Sequence, residues 1–464
     1  MERHIGPTSA GSVGRRVRSV WWKEARIMKR FVVRWLNPVC ACCALSAGAF
    51  AQSSAPAVFV SNNGNLEGSV TSFRLESNHT LTFLDRNITG TRQNINDPCP
   101  GCNAYDLSLT PDGRFLAVAH AAGDIDSITI HAVQPDGTIN PAGAFVMPTP
   151  IDCAWISNDL LAVIQSDFSP DRVVVFRYDD EAAQLTQIDQ ENAGSGSSYL
   201  AVHPTGNFVY ANDSIVKQVF AWRVEADGTL TPIDTESVGA PFPLELAVSP
   251  NGLWMYSAGG ISDGGNKVIG LNIAVDGTLT NIAGSPFISP GASPSNVYVG
   301  RDNMHLFVGH GTDATVRVLA INQSTGATTD TGKSFDVGLQ GTLGDVSTAP
   351  GGLMFVTDNS MAIDGVQGIY SFSVATDGSL TQNGGIYSTQ GIAPRSIAVW
   401  TPPPQPPACA GDLDGNGDTD STDLNIVLTD FGCAGAGCPG DADGDQDTDS
   451  TDLNIVLTDF GCAG

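Results

Sequence analysis

Between residues 57 and 400 apolar and polar positions alternate in short runs, and the runs recur. One motif is an apolar strand, a Pro/Asp/Gly turn and a second apolar strand. It reads YDLSLTPDGRFLAVA from Tyr105, YLAVHPTGNFVYAN from Tyr199, LELAVSPNGLWMYSA from Leu244, SNVYVGRDNMHLFVG from Ser295 and GDVSTAPGGLMFVTD from Gly344. A weaker copy, IDCAWISNDLLAVI, starts at Ile151. Alternation with period two, bounded by turn residues, predicts paired strands. The turn residues Pro111, Ser157, Pro204, Pro250, Arg301 and Pro350 lie 46, 47, 46, 51 and 49 residues apart. A second hairpin follows, as in ITIHAVQPDGTI or VFAWRVEADGTL. Its Asp136-Gly137, Asp227-Gly228, Asp276-Gly277 and Asp377-Gly378 pairs are expected to supply the positive φ angles that tight hairpins need.

Four strands in a period of about 48 residues make one propeller blade. Six repeats are complete and the seventh is split between the chain's ends. Ala57-VFVS, Ser69-VTSFRLE and Leu81-TFLDRNI supply three strands, and Arg395-SIAVW supplies the innermost one. Such a join removes free sheet edges. The prediction is an all-β, seven-bladed β-propeller of four-stranded blades over residues 52–400. A β-sandwich does not repeat seven times at one period.

The phrasing of the repeats, SP-[DN]-G followed by DGTLT, resembles the lactonase family of seven-bladed propellers, which includes bacterial 6-phosphogluconolactonase and the fungal carboxymuconate cyclase. The resemblance implies a ligand site at the mouth of the central funnel, where the innermost strands begin. Alignment by the turn places Asp106, Asp152, Tyr199, Glu245, Asn296, Asp345 and Ser396 in one ring. The preceding ring is Tyr105, Ile151, Ser198, Leu244, Ser295, Gly344 and Arg395. The family places His and Arg at such positions. Here neither ring holds a His, Arg395 is the one Arg, and the nearest histidine is His203 in a turn. Four carboxylates in one funnel repel one another unless a cation or protons offset them. Three readings stay open: a Ca²⁺ or Mg²⁺ site on Asp106, Asp152, Glu245 and Asp345; acid–base work on a neutral sugar or lactone; or a solvated acidic channel. A phosphorylated lactone is disfavoured because the funnel repels a dianion.

Composition agrees with a turn-rich β protein: 52 Gly, 15% charged and 41% hydrophobic residues in 464. The N-terminus reads as a targeting segment. Met28-Lys29-Arg30 is a basic start, Pro38 to Phe50 is apolar, and Ala49-Phe50-Ala51 fits a cleavage site before Gln52. Met28 is read as the true start. Removal of residues 1–51, with nine Lys/Arg and two Asp/Glu, leaves 13 basic and 47 acidic residues and a formal charge of −34. That balance excludes nucleic acid and anionic membrane surfaces as partners, and no later apolar run is long enough to span a bilayer. Three of the ten cysteines leave with the segment. Cys99-Pro-Gly-Cys102 is read as a local disulfide, since no second pair completes a zinc site. Cys153 falls on an inner strand as a small buried hydrophobe.

A proline-rich linker, residues 401–410, leads to two copies offset by 29 residues. Residues 418–435 and 447–464 are identical. Each copy fits a twelve-residue calcium loop. The first offers Asp412, Asp414, Asn416, Asp420 and Asp423 by side chain and Asp418 by its carbonyl. The second offers Asp441, Asp443, Asp445, Asp449 and Asp452 by side chain and Asp447 by its carbonyl. Gly417 takes the sharp turn, and Gln446 in its place predicts a weaker or strained second site. The block 411–464 holds 13 Asp and no Lys or Arg. It is more than an acidic tail, because Leu424, Val427, Leu428 and Phe431 place an apolar stripe on a helix after the loop. The pattern resembles a type I dockerin, with Ser421-Thr422 and Ser450-Thr451 at the recognition positions. The resemblance implies two bound Ca²⁺ ions and a cohesin-like extracellular partner. Where dockerins carry basic residues, this chain has Thr429-Asp430 and Thr458-Asp459. If the module's ends meet as they do in dockerins, the disulfides are Cys409–Cys462 and Cys433–Cys438; the alternative is Cys409–Cys433 with Cys438–Cys462.

The sequence thus predicts a protein secreted by a bacterium, to the medium or the cell surface, whose lactonase-like propeller binds a small ligand. A calcium-binding module would attach it to a larger assembly. The alternative is a lactone hydrolase of the 6-phosphogluconolactonase type, working through funnel residues Asp106, Asp152, Tyr199, Glu245, Asn296, Asp345 and Arg395. The missing histidines favour binding, the resemblance favours hydrolysis, and the question of an enzyme stays open.

Overall fold

The computed structural model describes residues 55–121, 125–166, 170–239, 242–260, 265–337, 343–359, 367–402, 409–435 and 437–463. The expected targeting segment, the start at Met28 and most of the linker lie outside them. Seven antiparallel sheets follow in chain order. The first consists of Ala57–Asn63, Glu67–Leu75 and Leu81–Thr91, completed on its inner side by Pro394–Trp400. Ala57 lies opposite Trp400, Phe59 opposite Ala398 and Val60 opposite Ile397. The last strand of the propeller therefore closes the ring on the first, as the split repeat predicts.

The other six innermost strands are Ala104–Leu109, Pro150–Trp155, Leu200–Val202, Leu246–Val248, Pro294–Val299 and Leu343–Ala349. The fifth blade has its outer edge in two pieces, Leu279–Asn281 and Phe287–Ile288, both paired with Lys267–Ile273.

Period-two alternation explains where the core sits. Each blade buries both faces, one against each neighbour. In Ala57–Asn63, Ala57 and Phe59 pack with Leu107, Leu116 and Val118 of the second blade. Val58 and Val60 pack with Leu353 and Phe355 of the seventh. Seven hydrophobic clusters, each shared by two consecutive blades, line the seven junctions.

The outer hairpins refine the expectation for the Asp-Gly pairs. Only the glycines take positive φ: Gly137 at 83°, Gly228 at 93°, Gly277 at 86° and Gly378 at 78°. The preceding aspartate caps the turn instead. Asp136 Oδ1 accepts from Thr138 N at 3.0 Å and Thr138 Oγ1 at 2.7 Å, while Gly137 N donates to Gln134 O at 2.9 Å. This is a tight turn followed by one left-handed glycine, a common three-residue hairpin loop. Cys99 and Cys102 form a disulfide, and Cys153 is a buried free thiol. Among the described residues no helix is long and apolar enough to cross a membrane.

Candidate functional site

The inner strands surround a cavity of about 580 Å³. Its lining includes Asp106, Asp152, Tyr199, Glu245, Asn296, Asp345 and Ser396, the whole predicted ring. Of the preceding ring it takes Tyr105, Ile151, Gly344 and Arg395; Ser198, Leu244 and Ser295 lie outside it. His203 is also outside, bonded to Gly252 O at 3.1 Å and Thr205 Oγ1 at 2.8 Å in the far turn.

The register of the ring has a structural cause that the strand pattern does not display. Three of the four ring carboxylates each accept a backbone N–H from the next blade. Asp106 Oδ2 takes Cys153 N at 3.2 Å, Asp152 Oδ2 takes Leu200 N at 2.6 Å, and Asp345 Oδ2 takes Ile397 N at 3.0 Å. Ser108 Oγ likewise accepts from Trp155 N at 3.0 Å, and Ser396 Oγ donates to Asp106 Oδ1 at 2.9 Å. Asn296 joins its two neighbours: its Nδ2 donates to Glu245 Oε2 at 2.7 Å and to Gly344 O at 3.3 Å. Inner strands turn edge-on to the channel, so their free N–H groups need acceptors. The carboxylates meet that need and also charge the channel.

Asp152 is 9% exposed and its carboxyl lies beside that of Asp106 in the channel. Two buried carboxylates placed so close repel one another unless a proton or a cation offsets the charge. Burial, followed by the charge of Asp106, pushes the Asp152 carboxyl well above the usual carboxylate range. Burial and then Asp345 do the same to Glu245. Asp345 is pushed up to about 7, mainly by burial, against the N–H bonds from Ile397 and Val346 that favour its charge. Burial and then Asp106 raise the Cys153 thiol, which makes it inert as a nucleophile. Two arginines, Arg301 and Arg395, line the cavity, and Arg395 stands beside the ring. Its guanidinium carbon sits 3.6 Å from the Tyr105 ring centroid, within cation–π range. Thr357 Oγ1 fixes its backbone by donating to Arg395 O at 2.7 Å.

The funnel carboxylates do not converge on one point. Among the described residues, the groups of three or more candidate ligand atoms within 4.8 Å of one another all lie in the C-terminal module.

In the C-terminal module, helices α1 (Ser421–Asp430) and α2 (Ser450–Asp459) each follow one acidic loop. Asp412, Asp414 and Asp423 bring oxygens within 4.8 Å of one another, as do Asp441, Asp443 and Asp452. Asp423 also closes the capping box of α1 with the N-cap Asp420, and Asp452 does so for α2 with Asp449. Asn416 Oδ1 and Asp445 Oδ1 accept from the N–H groups of Asp418 and Asp447, which shapes the loop. The hard-oxygen donor sets suit Ca²⁺. The disulfides are Cys409–Cys462 and Cys433–Cys438, the first of the two pairings considered. Ser421, Thr422, Ser450 and Thr451 are exposed at the helix starts.

Two features were not visible in the pattern. Asp430 and Asp459 brace the halves reciprocally: Asp430 Oδ2 accepts from Thr448 Oγ1 and Gly440 N, and Asp459 Oδ2 from Thr419 Oγ1 and Gly411 N. The expected apolar stripe is only partly interior. Val427 and Val456 are fully buried, whereas Leu428 and Phe431 are 54% and 51% exposed.

Comparison with known proteins bears on the propeller. The sequence profile of the family described as "Lactonase, 7-bladed beta-propeller" matches residues 48–343. No curated protein sequence matches the chain. Among solved structures, the periplasmic gluconolactonase of Pseudomonas aeruginosa superposes with a TM-score of 0.59 at 16% identity, over 75% of this chain and 99% of that one. A candidate 6-phosphogluconolactonase of Bacteroides uniformis gives 0.59 at 16%, over 75% and 100%. A protein of Lactobacillus plantarum gives 0.58 at 15%, over 75% and 99%. At these identities the structural likeness is one of fold.

Proposed function

Because the chain belongs to the seven-bladed β-propeller family of lactonases, we propose that its funnel hydrolyses uncharged lactones. The observation that carries this reading is the buried carboxyl pair Asp106 and Asp152, which we read as sharing a proton, in a cavity also lined by Arg395. Asp106 takes a proton from water as the water oxygen bonds to the lactone carbonyl carbon. Arg395 donates to the carbonyl oxygen, on which negative charge develops. Asp152 gives its proton to the ring oxygen as the carbon–oxygen bond breaks, and the proton on Asp106 then crosses to Asp152. The product acid ionises and the acidic funnel expels it. The same charge disfavours phosphorylated lactones. The name of the Pseudomonas neighbour, a gluconolactonase, agrees with an uncharged lactone, while that of the Bacteroides neighbour agrees with lactone chemistry but points to the phosphorylated class.

A second reading is binding without turnover. It is favoured by the structural work of Asp106, Asp152 and Asp345, each of which accepts a neighbouring blade's N–H. Incubation of the protein with glucono-δ-lactone and with its 6-phosphate, with acid release followed, separates the two. Faster release from the uncharged lactone supports hydrolysis. Saturable binding without release supports the second reading, and preference for the phosphate overturns the charge argument.

For the rest of the chain, we propose export, two Ca²⁺ ions in the C-terminal module and a cohesin-like extracellular partner at Ser421, Thr422, Ser450 and Thr451. Export is supported by the N-terminal pattern and by the periplasmic neighbour. The acidic loops and their hydrogen-bonded turns support the ions. Asp412, Asp414, Asn416, Asp420 and Asp423 would hold the first, with the carbonyl of Asp418; the equivalent residues of the second loop would hold the other.

A further inference from the structure

The duplication in the C-terminal module is an internal control. The two loops share their scaffold. Asp412 Oδ1 accepts from Gly415 N at 2.8 Å and Asp441 Oδ1 from Gly444 N at 2.7 Å. Asp423 Oδ1 accepts from Leu413 N at 2.8 Å and Asp452 Oδ1 from Ala442 N at 2.7 Å. Within residues 411–435 and 440–464 the loops differ at Leu413/Ala442, Asn416/Asp445 and Gly417/Gln446.

One consequence is seen at the next residue. Asp447 brings a carboxylate oxygen within 4.8 Å of those of Asp449 and Asp452. Its Oδ1 is buried and has no hydrogen-bond partner. Asp418, its counterpart, is exposed and joins no such group among the described residues. A buried carboxylate oxygen without a donor is costly, and a cation is the partner that offsets it. The second loop also carries six aspartates, Asp445 standing where the first loop has Asn416.

Gln446 pulls the other way, and from the sequence it predicts a weaker site. It holds φ at 75° where Gly417 holds 100°. That left-handed conformation is built into the folded loop, so its strain is a cost of folding and not of loading an ion. Charge and donor count then decide the order.

We propose that the second loop is the tighter calcium site and that the Asp447 side chain is a ligand there, while Asp418 contributes no side chain to the first. This rests on the calcium reading of the module. Calorimetric Ca²⁺ titration of the full chain tests it, because ligand charge sets the affinity of such loops. We expect two steps about tenfold or more apart, with Asp447→Asn weakening the tighter step about tenfold and Asp418→Asn changing neither more than about twofold. Equal steps in the native chain, or equal effects of the two substitutions, overturn the proposal. The paired variant Asp423→Ala/Asp452→Ala separates the premise: if it takes up Ca²⁺ like the native chain, the calcium reading itself fails.

Discussion

Ending the chain after Ala393 removes the strand that closes the ring, and the cost follows from what Pro394–Trp400 touches. Ile397, 7% exposed, belongs to the junction with the seventh blade; Trp400, 4% exposed, belongs to the junction with the second. Emptying sites of this kind costs about 2–5 kcal/mol for Ile and 3–5 kcal/mol for Trp. Polar partners are orphaned as well. Asp345 loses Ile397 N, Asp106 loses Ser396 Oγ, and Ser61 Oγ loses Ser396 N. Each orphan adds about 1–3 kcal/mol. The sum is of order 10 kcal/mol, comparable with the whole stability of a typical domain, about 5–15 kcal/mol. A chain ended after Pro402 keeps all of these contacts. Thermal melts of the two should differ by at least about 10 °C, with the shorter chain unfolded or aggregated through the open edge of Ala57–Asn63. A monomeric shorter chain that melts within a few degrees of the longer one would refute ring closure as the source of stability.

The other expectations concern charge and turns. Asp345 has its pKa raised in the folded state, so its stabilising contribution is full below about pH 3.8 and is lost as pH rises towards about 7. Asp345→Asn should flatten that decline in denaturant midpoints measured from pH 4 to 7; an unchanged slope contradicts the assignment. His120 and His131 are buried with pKa values lowered to about 3 and about 4, chiefly by burial, so their contribution is full above about pH 6.5 and fails as pH falls. Acid unfolding of the Asp345→Asn protein should keep this limb unchanged. Gly277→Ala combines a φ of 86° with a methyl 2.3 Å from Phe208 Cδ1 and should cost about 2 kcal/mol or more; at Gly137 the nearest atom is 2.9 Å away and the loss should be smaller. Equal urea midpoints for the two variants contradict this packing account.

The repeats were legible because a blade is a local object. Alternation gives its strands, Asp-Gly its outer turn, and a recurring turn residue its register. The closing strand could be read from Arg395-SIAVW because a split repeat leaves one strand over. The channel ring followed from the same alignment. The acceptors of the inner-strand N–H groups were not legible, since Asp106 and Cys153 lie 47 residues apart and only the packed ring brings them together. The same limit hid the bracing by Asp430 and Asp459, whose partners sit in the other half of the module. Helical periodicity overstated the buried stripe of α1, because a module this small has one neighbour to bury against and leaves Leu428 and Phe431 outside.

The central claim is that a shared proton between Asp106 and Asp152 drives lactone hydrolysis. The direct measurement is the rate of acid release from glucono-δ-lactone by the native chain and by Asp152→Asn. Asparagine keeps an acceptor for Leu200 N but has no proton to give the ring oxygen. The account predicts native turnover above the spontaneous rate and a loss of about 100-fold or more in the variant, with an unchanged melting temperature. Equal rates in the two proteins would contradict it.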